Sequence, residues 1–152
     1  MFVNSSHTEV SGDTGIKRVK RRGAPALLFL GAAGVLVVAA SLEPDPSGLG
    51  THEQLGLPRC GFRMAMGLPC VSCGMTTAFA HAANGNLSKA FFTQPVGAML
   101  AVVDAIAVLV FGYAAVVGMP VTGICRVAVR PAMFVILGVL MLMSWIYTIS
   151  IQ

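Results

Sequence analysis

PVGAMLAVVDAIAVLVFGYAAVVGM, residues 95–119, is the stretch on which the fold turns. It opens on Pro95 and runs to Met119 with one charged residue, Asp104, and two further apolar runs, 25–41 and 131–149, flank it in the chain. Each approaches the ~17–25 residues that a helix needs to cross about 30 Å of hydrocarbon. Apolar residues make up 56% of the chain and charged ones only 11%, a balance that a soluble domain of this length does not keep in solution. The sequence therefore predicts an all-α integral membrane protein with about three transmembrane helices in a single membrane domain, residues 25–152. The lipid bilayer is its first partner.

Charge sets the expected orientation, because Lys and Arg near span ends stay preferentially on the cytoplasmic side. Lys17, Arg18, Lys20, Arg21 and Arg22 precede the first run, and Arg126 and Arg130 separate the second from the third. Both groups belong inside, which puts the N-terminus in the cytoplasm and the segment 42–94 on the outer face. On that topology Cys60, Cys70 and Cys73 face an oxidising compartment and Cys125 lies near the cytoplasm. Residues 1–24 read as a disordered basic tail whose charge attracts anionic headgroups. Nucleic acid is not an expected partner, since no aromatic residues interleave with the basic run and no recognition motif follows it. The small residues Ala39, Ala40 and Ser41 allow a cleaved secretory leader, but a run this long suits a retained anchor better.

The segment 42–94 carries the chemistry. Glu43-Pro44-Asp45-Pro46-Ser47-Gly48 ends the first span with turn residues, and Leu57 to Phe62 reads as a loop. Pro69 then suits the first turn of a helix that Asn84-Gly85 stops, and Asn86 suits the cap of a second helix through Phe92. Together they predict a short cysteine-bearing helical hairpin at the interface. At 100° per residue, Cys70, Cys73, Thr77 and His81 fall on one stripe of the first helix.

Three readings of the cysteines stay open. In a redox site, Cys70 at a helix start is the attacking thiol and Cys73 the resolving one, with His81 or Thr77 moving the proton. In a metal site, Cys60, Cys70 and Cys73 give three soft ligands and His81 or His52 completes a tetrahedral shell, with zinc as the implied ion. In the structural reading, Cys60 pairs with Cys70 or Cys73 and staples the loop, contributing about 2–4 kcal/mol. Asp104 stands apart, nine residues past Pro95 and so about 13 Å into the span. An acid at that depth marks a proton or cation relay, or else a protonated group bonded to a neighbouring helix. Trp145 and Tyr147 fit an interfacial aromatic belt, and Gly31-Ala32-Ala33-Gly34 permits close helix approach.

The ordered set Pro69-Cys70-x-x-Cys73-Gly74-Met75-Thr76-Thr77-Ala78, then Gly85-Asn86-Leu87, then Gln94-Pro95 resembles an uncharacterised bacterial family of small multi-span membrane proteins. That family's usual signature is C-P-x-C-G-[LM]-T-R-A, then G-D-L, then N-P. The resemblance covers about Cys60 to Leu100 and implies Cys60, Cys70, Cys73, Gly74, Thr76, Gly85 and Pro95 as a shared framework in a membrane protein with no known activity, and the topology read above makes the bacterial inner membrane its expected location. The chain departs from the signature at Val71, Thr77 and Gln94, and Thr77 stands where the signature carries a cation. The leading expectation is a non-enzymatic membrane component whose cysteine cluster is structural or metal-binding, acting as a homo-oligomer or within an envelope complex. A thiol-disulfide oxidoreductase using Cys70 and Cys73 is the alternative, followed by a proton-coupled transport subunit using Asp104. No phosphate-binding loop or Ser-His-Asp set is present to support kinase or hydrolase chemistry.

Overall fold

The computed structural model describes residues 11–123, 126 and 129–151, with side chains from Arg22 onward. Every regular element among the described residues is helical. The long helices are α1 (Ser11–Ser41), α5 (Pro95–Val117) and α6 (Pro131–Ile151), and all three are long and apolar enough to cross a membrane. Between α1 and α5 lie a 3-10 turn (Thr51–Leu55) and three short helices, α2 (Gly61–Met66), α3 (Met75–Ala83) and α4 (Leu87–Thr93).

Chain punctuation explains the span ends. Pro95 takes the first helical position of α5, where its missing N–H costs nothing, after an extended Gln94. The helix stops at Val117, two residues short of the expected end, because Gly118 adopts a left-handed conformation and turns its N–H back to the Ala114 carbonyl. The apolar window of α1 runs from Arg22 to Ser41. Helical backbone already begins at Ser11, so part of the stretch predicted as a disordered tail is helix. Ile16 to Arg22 is made largely of good helix formers with no breaker, and the span's helix continues through it. Residues 1–10 lie outside the described residues.

α1 runs beside α5, and α3 and α4 pack over the N-terminal end of α5. The centre of this packing is small: Ala78, Ala90 and Ala98 are buried together, one from each of α3, α4 and α5. Alanine at the crossing lets backbones approach closely, which is how helices associate where lipid removes the hydrophobic drive. Gly97 carries the closest approach, since a Cβ there would lie 3.0 Å from the Ala78 Cβ and 3.3 Å from the Met75 Cα. α6 touches this unit mainly through its second half, where Ser144 and Thr148 are buried, whereas residues 131–139 are exposed throughout.

The two ends of the bundle differ. Arg22, at the start of the first span, reaches Gly118 at the end of α5, and the segment holding Arg126 and Arg130 follows there. Arg22, Arg126 and Arg130 thus lie toward the end opposite the cysteines, whereas Arg59, Arg63 and Lys89 lie at the cysteine end. Cys125 lies outside the described residues.

Candidate metal centre

The cysteine segment is a turn, not a helix start. The Cys73 N–H donates to the Cys70 carbonyl at 3.0 Å and the Met75 N–H to the Ser72 carbonyl at 3.2 Å, so residues 70–75 form two tight turns. Gly74 follows at φ 86, and only then does α3 begin at Met75. Gly74 is required twice over: its φ is left-handed, and a Cβ there would meet the Gly48 carbonyl oxygen at 3.2 Å. The helix predicted from Pro69 is corrected accordingly, because a left-handed residue cannot continue a right-handed helix.

Cys60 joins this turn from another segment, standing just before α2 with its carbonyl accepting from the Met64 N–H at 3.1 Å. The Sγ atoms of Cys60, Cys70 and Cys73 all lie within 4.8 Å of one another. The Cys70 and Cys73 sulfurs are 3.4 Å apart, and the Ser72 hydroxyl is 3.4 Å from Cys70 Sγ. Burial raises the Cys70 thiol, but hydrogen bonds with Ser72, Cys73 and Cys60 outweigh it and bring the group down to about 7. Burial and the hydrogen bond with Cys70 push Cys73 up to about 12. One thiol is therefore ready to ionise beside one that holds its proton.

Two side chains from outside the segment hold the turn. The Trp145 indole N–H of α6 donates to the Pro69 carbonyl at 2.8 Å, and the Gln94 side-chain amide donates to the Val71 carbonyl at 3.3 Å. Both carbonyls flank Cys70. Gln94 is fully buried at the start of α5, and Tyr147 adds a bond from its hydroxyl to the Phe92 carbonyl at 3.3 Å. Neither clamp was identified from sequence. Gln94 stood out only as a departure from a signature, and a lone Trp near a span end equally fits an interfacial belt.

Above the sulfurs is a cavity of about 430 Å³ lined by Cys60, Cys73, His52, Glu53, Arg59 and Arg63 among others. Arg59 and Glu53 form an exposed ion pair at 3.3 Å. His52 thus shares the cysteine cavity, whereas His81 does not join the thiols. It lines a separate depression with Asn84, Asn86 and Lys89, because the stripe connecting it to Cys70 assumed helix through Gly74. Thr77 is likewise occupied elsewhere: it is buried, and its hydroxyl pairs with that of Thr51 at 2.8 Å, which in turn accepts the Asp45 N–H. Thr76 lines an apolar groove between α1 and α3 beside Gly31 and Gly34. Asp104 lies within α5, far from the cysteines in sequence, with one carboxylate oxygen buried and unpartnered among the described residues.

The arrangement can do two things chemically. Three sulfurs at this spacing match one face of a thiolate tetrahedron, whose edges are about 3.8 Å for a zinc–sulfur bond of about 2.3 Å. A thiol pair of unequal acidity can also exchange with a disulfide. No curated protein and no solved structure matches the chain. Residues 60–117, from the first of the three cysteines to the last residue of α5, match the model of the family described as a protein of unknown function, DUF2752.

Proposed function

We propose that the chain is a small inner-membrane protein that holds one soft metal ion, zinc by preference, on Cys60, Cys70 and Cys73. The observation that carries this reading is the convergence of three sulfurs from two separate segments within 4.8 Å. A two-thiol exchange needs only Cys70 and Cys73 to carry the disulfide, with Cys60 no more than one of the groups that lower the Cys70 thiol. The fourth position faces the cavity that His52 lines, so an imidazole, a water or a small ligand completes the shell there. The excess of basic residues flanking the other ends of the spans, Lys17 to Arg22 with Arg126 and Arg130, supports placing this centre on the outer face, with the N-terminus in the cytoplasm.

The test is the metal content of the purified full-length protein, read by elemental mass spectrometry. We expect about one zinc per chain, falling to less than a tenth of that in Cys60→Ser, since three ligands are the least that fix such an ion. Absence of bound metal after zinc supplementation would rule the reading out.

A second reading rests on the unequal Cys70 and Cys73 thiols. In it the Cys70 thiolate attacks a substrate disulfide, releasing one thiol. Cys73 then gives up its proton, displaces the second thiol and leaves a Cys70–Cys73 disulfide. This exchange would persist in Cys60→Ser, slowed by the loss of one of the hydrogen bonds that lower the Cys70 thiol, whereas bound zinc would be lost, so the same variant separates the two.

A further inference from the structure

At the cysteine end of the bundle, a polar depression opens onto an apolar groove. The depression, about 540 Å³, is lined by His81, Asn84, Asn86 and Lys89 from the α3–α4 corner and by Glu43 beyond α1. The groove, about 630 Å³, runs between α1 and α5 from Gly85 and Leu87 down to Ile106 and Leu109. The two share Ala40, and interleaved residues of one corner serve both: Ala82, Ala83, Gly85 and Leu87 line the groove, and His81, Asn84, Asn86 and Lys89 the depression. Along α5 the groove extends from Ala101 to Leu109, about 12 Å of helix. That is most of the ~15 Å depth of a single leaflet.

A slot that is polar at the membrane end and apolar below has the shape of a lipid. We infer that it binds a phospholipid, with the phosphate against Lys89, His81 and the two asparagines and an acyl chain in the groove between α1 and α5. The charges fit this occupant. Burial, and after it the Lys89 charge, disfavours the protonated imidazole of His81, whose Nδ1 is buried with no partner among the described residues. An anion in the depression answers the Lys89 charge. Asn84 donates one amide hydrogen to the Ala80 carbonyl and keeps its second. Glu43 is exposed on the rim and suits a headgroup that also carries an amine, so phosphatidylethanolamine is the probe of choice.

Full-length protein in a phosphate-free detergent would be titrated with dioleoylphosphatidylethanolamine or dioleoylglycerol and the bound lipid read by native mass spectrometry. The phospholipid should be retained at least tenfold better than the diacylglycerol. Lys89→Ala and Ala105→Phe should each weaken it about tenfold, one by removing a charge-assisted bond to phosphate and the other by filling the groove at an exposed position, and Lys89→Arg should restore it. Equal retention of dioleoylglycerol overturns the proposal, as does indifference to Lys89→Ala, which would mean annular lipid only. Displacement by inorganic phosphate with no effect of Ala105→Phe also overturns it, in favour of a free-anion site.

Discussion

Gly74 explains why the cysteines were legible as a motif and not as a site. Cys-x-x-Cys is visible in any printed sequence, but the left-handed residue after it breaks the helical projection that linked Cys70 to Thr77 and His81. The bonds that shape the thiols come from Ser72 and from Cys60, ten residues upstream. In metal-stripped protein, iodoacetamide should therefore modify Cys70 with a rate that rises through a midpoint near pH 7, since only the thiolate attacks, while Cys73 stays unmodified until close to pH 12. Peptide mapping after alkylation across pH reads both; equal rates at the two cysteines would refute the asymmetry. Trp145→Phe keeps an aromatic ring and removes the bond to the Pro69 carbonyl, so zinc affinity should drop roughly 10–100-fold, the usual effect of losing a group that positions a ligand. Competition with a chromogenic chelator measures it.

The long elements were easier to read than the short ones. Pro95 and Pro131 open α5 and α6 where the sequence places them, and the apolar runs give the lengths to within two residues. Asn84-Gly85 ends α3 as its residues predict, although Asn86 precedes α4 without a side-chain cap. The short α2, by contrast, has no buried residue and no apolar stripe to announce it. What joins the elements is invisible in composition, because the alanines and Gly97 at the α3–α5 crossing look like filler in an apolar chain. Gly97→Ala should cost about 1–3 kcal/mol, since the added methyl meets the Ala78 Cβ and the Met75 backbone as well as the buried Gln94 side chain. A lower midpoint of thermal unfolding in detergent would register it, and an unchanged midpoint would mean that the helices are farther apart.

For the whole molecule, the placing of the thiols at the end opposite Arg22, Arg126 and Arg130 predicts sidedness. In intact cells treated with a chelator, a membrane-impermeant maleimide should tag Cys60 and Cys70 and leave Cys125 untouched; tagging of Cys125 alone would invert the topology. α6 is loosely held among the described residues, exposed through residues 131–139 and fastened in its second half, where Ser144 and Thr148 are buried.

That fastening has a consequence for biogenesis. Trp145 closes on a carbonyl 76 residues earlier in the chain, so during synthesis the cysteine turn emerges, and its first partners fold, well before its clasp exists. The site reaches its final shape only when α6 has been inserted. A chain stalled or truncated before that point would present three loosely held thiols to whatever oxidant or metal it meets first, which makes completion of α6 the step that decides their fate.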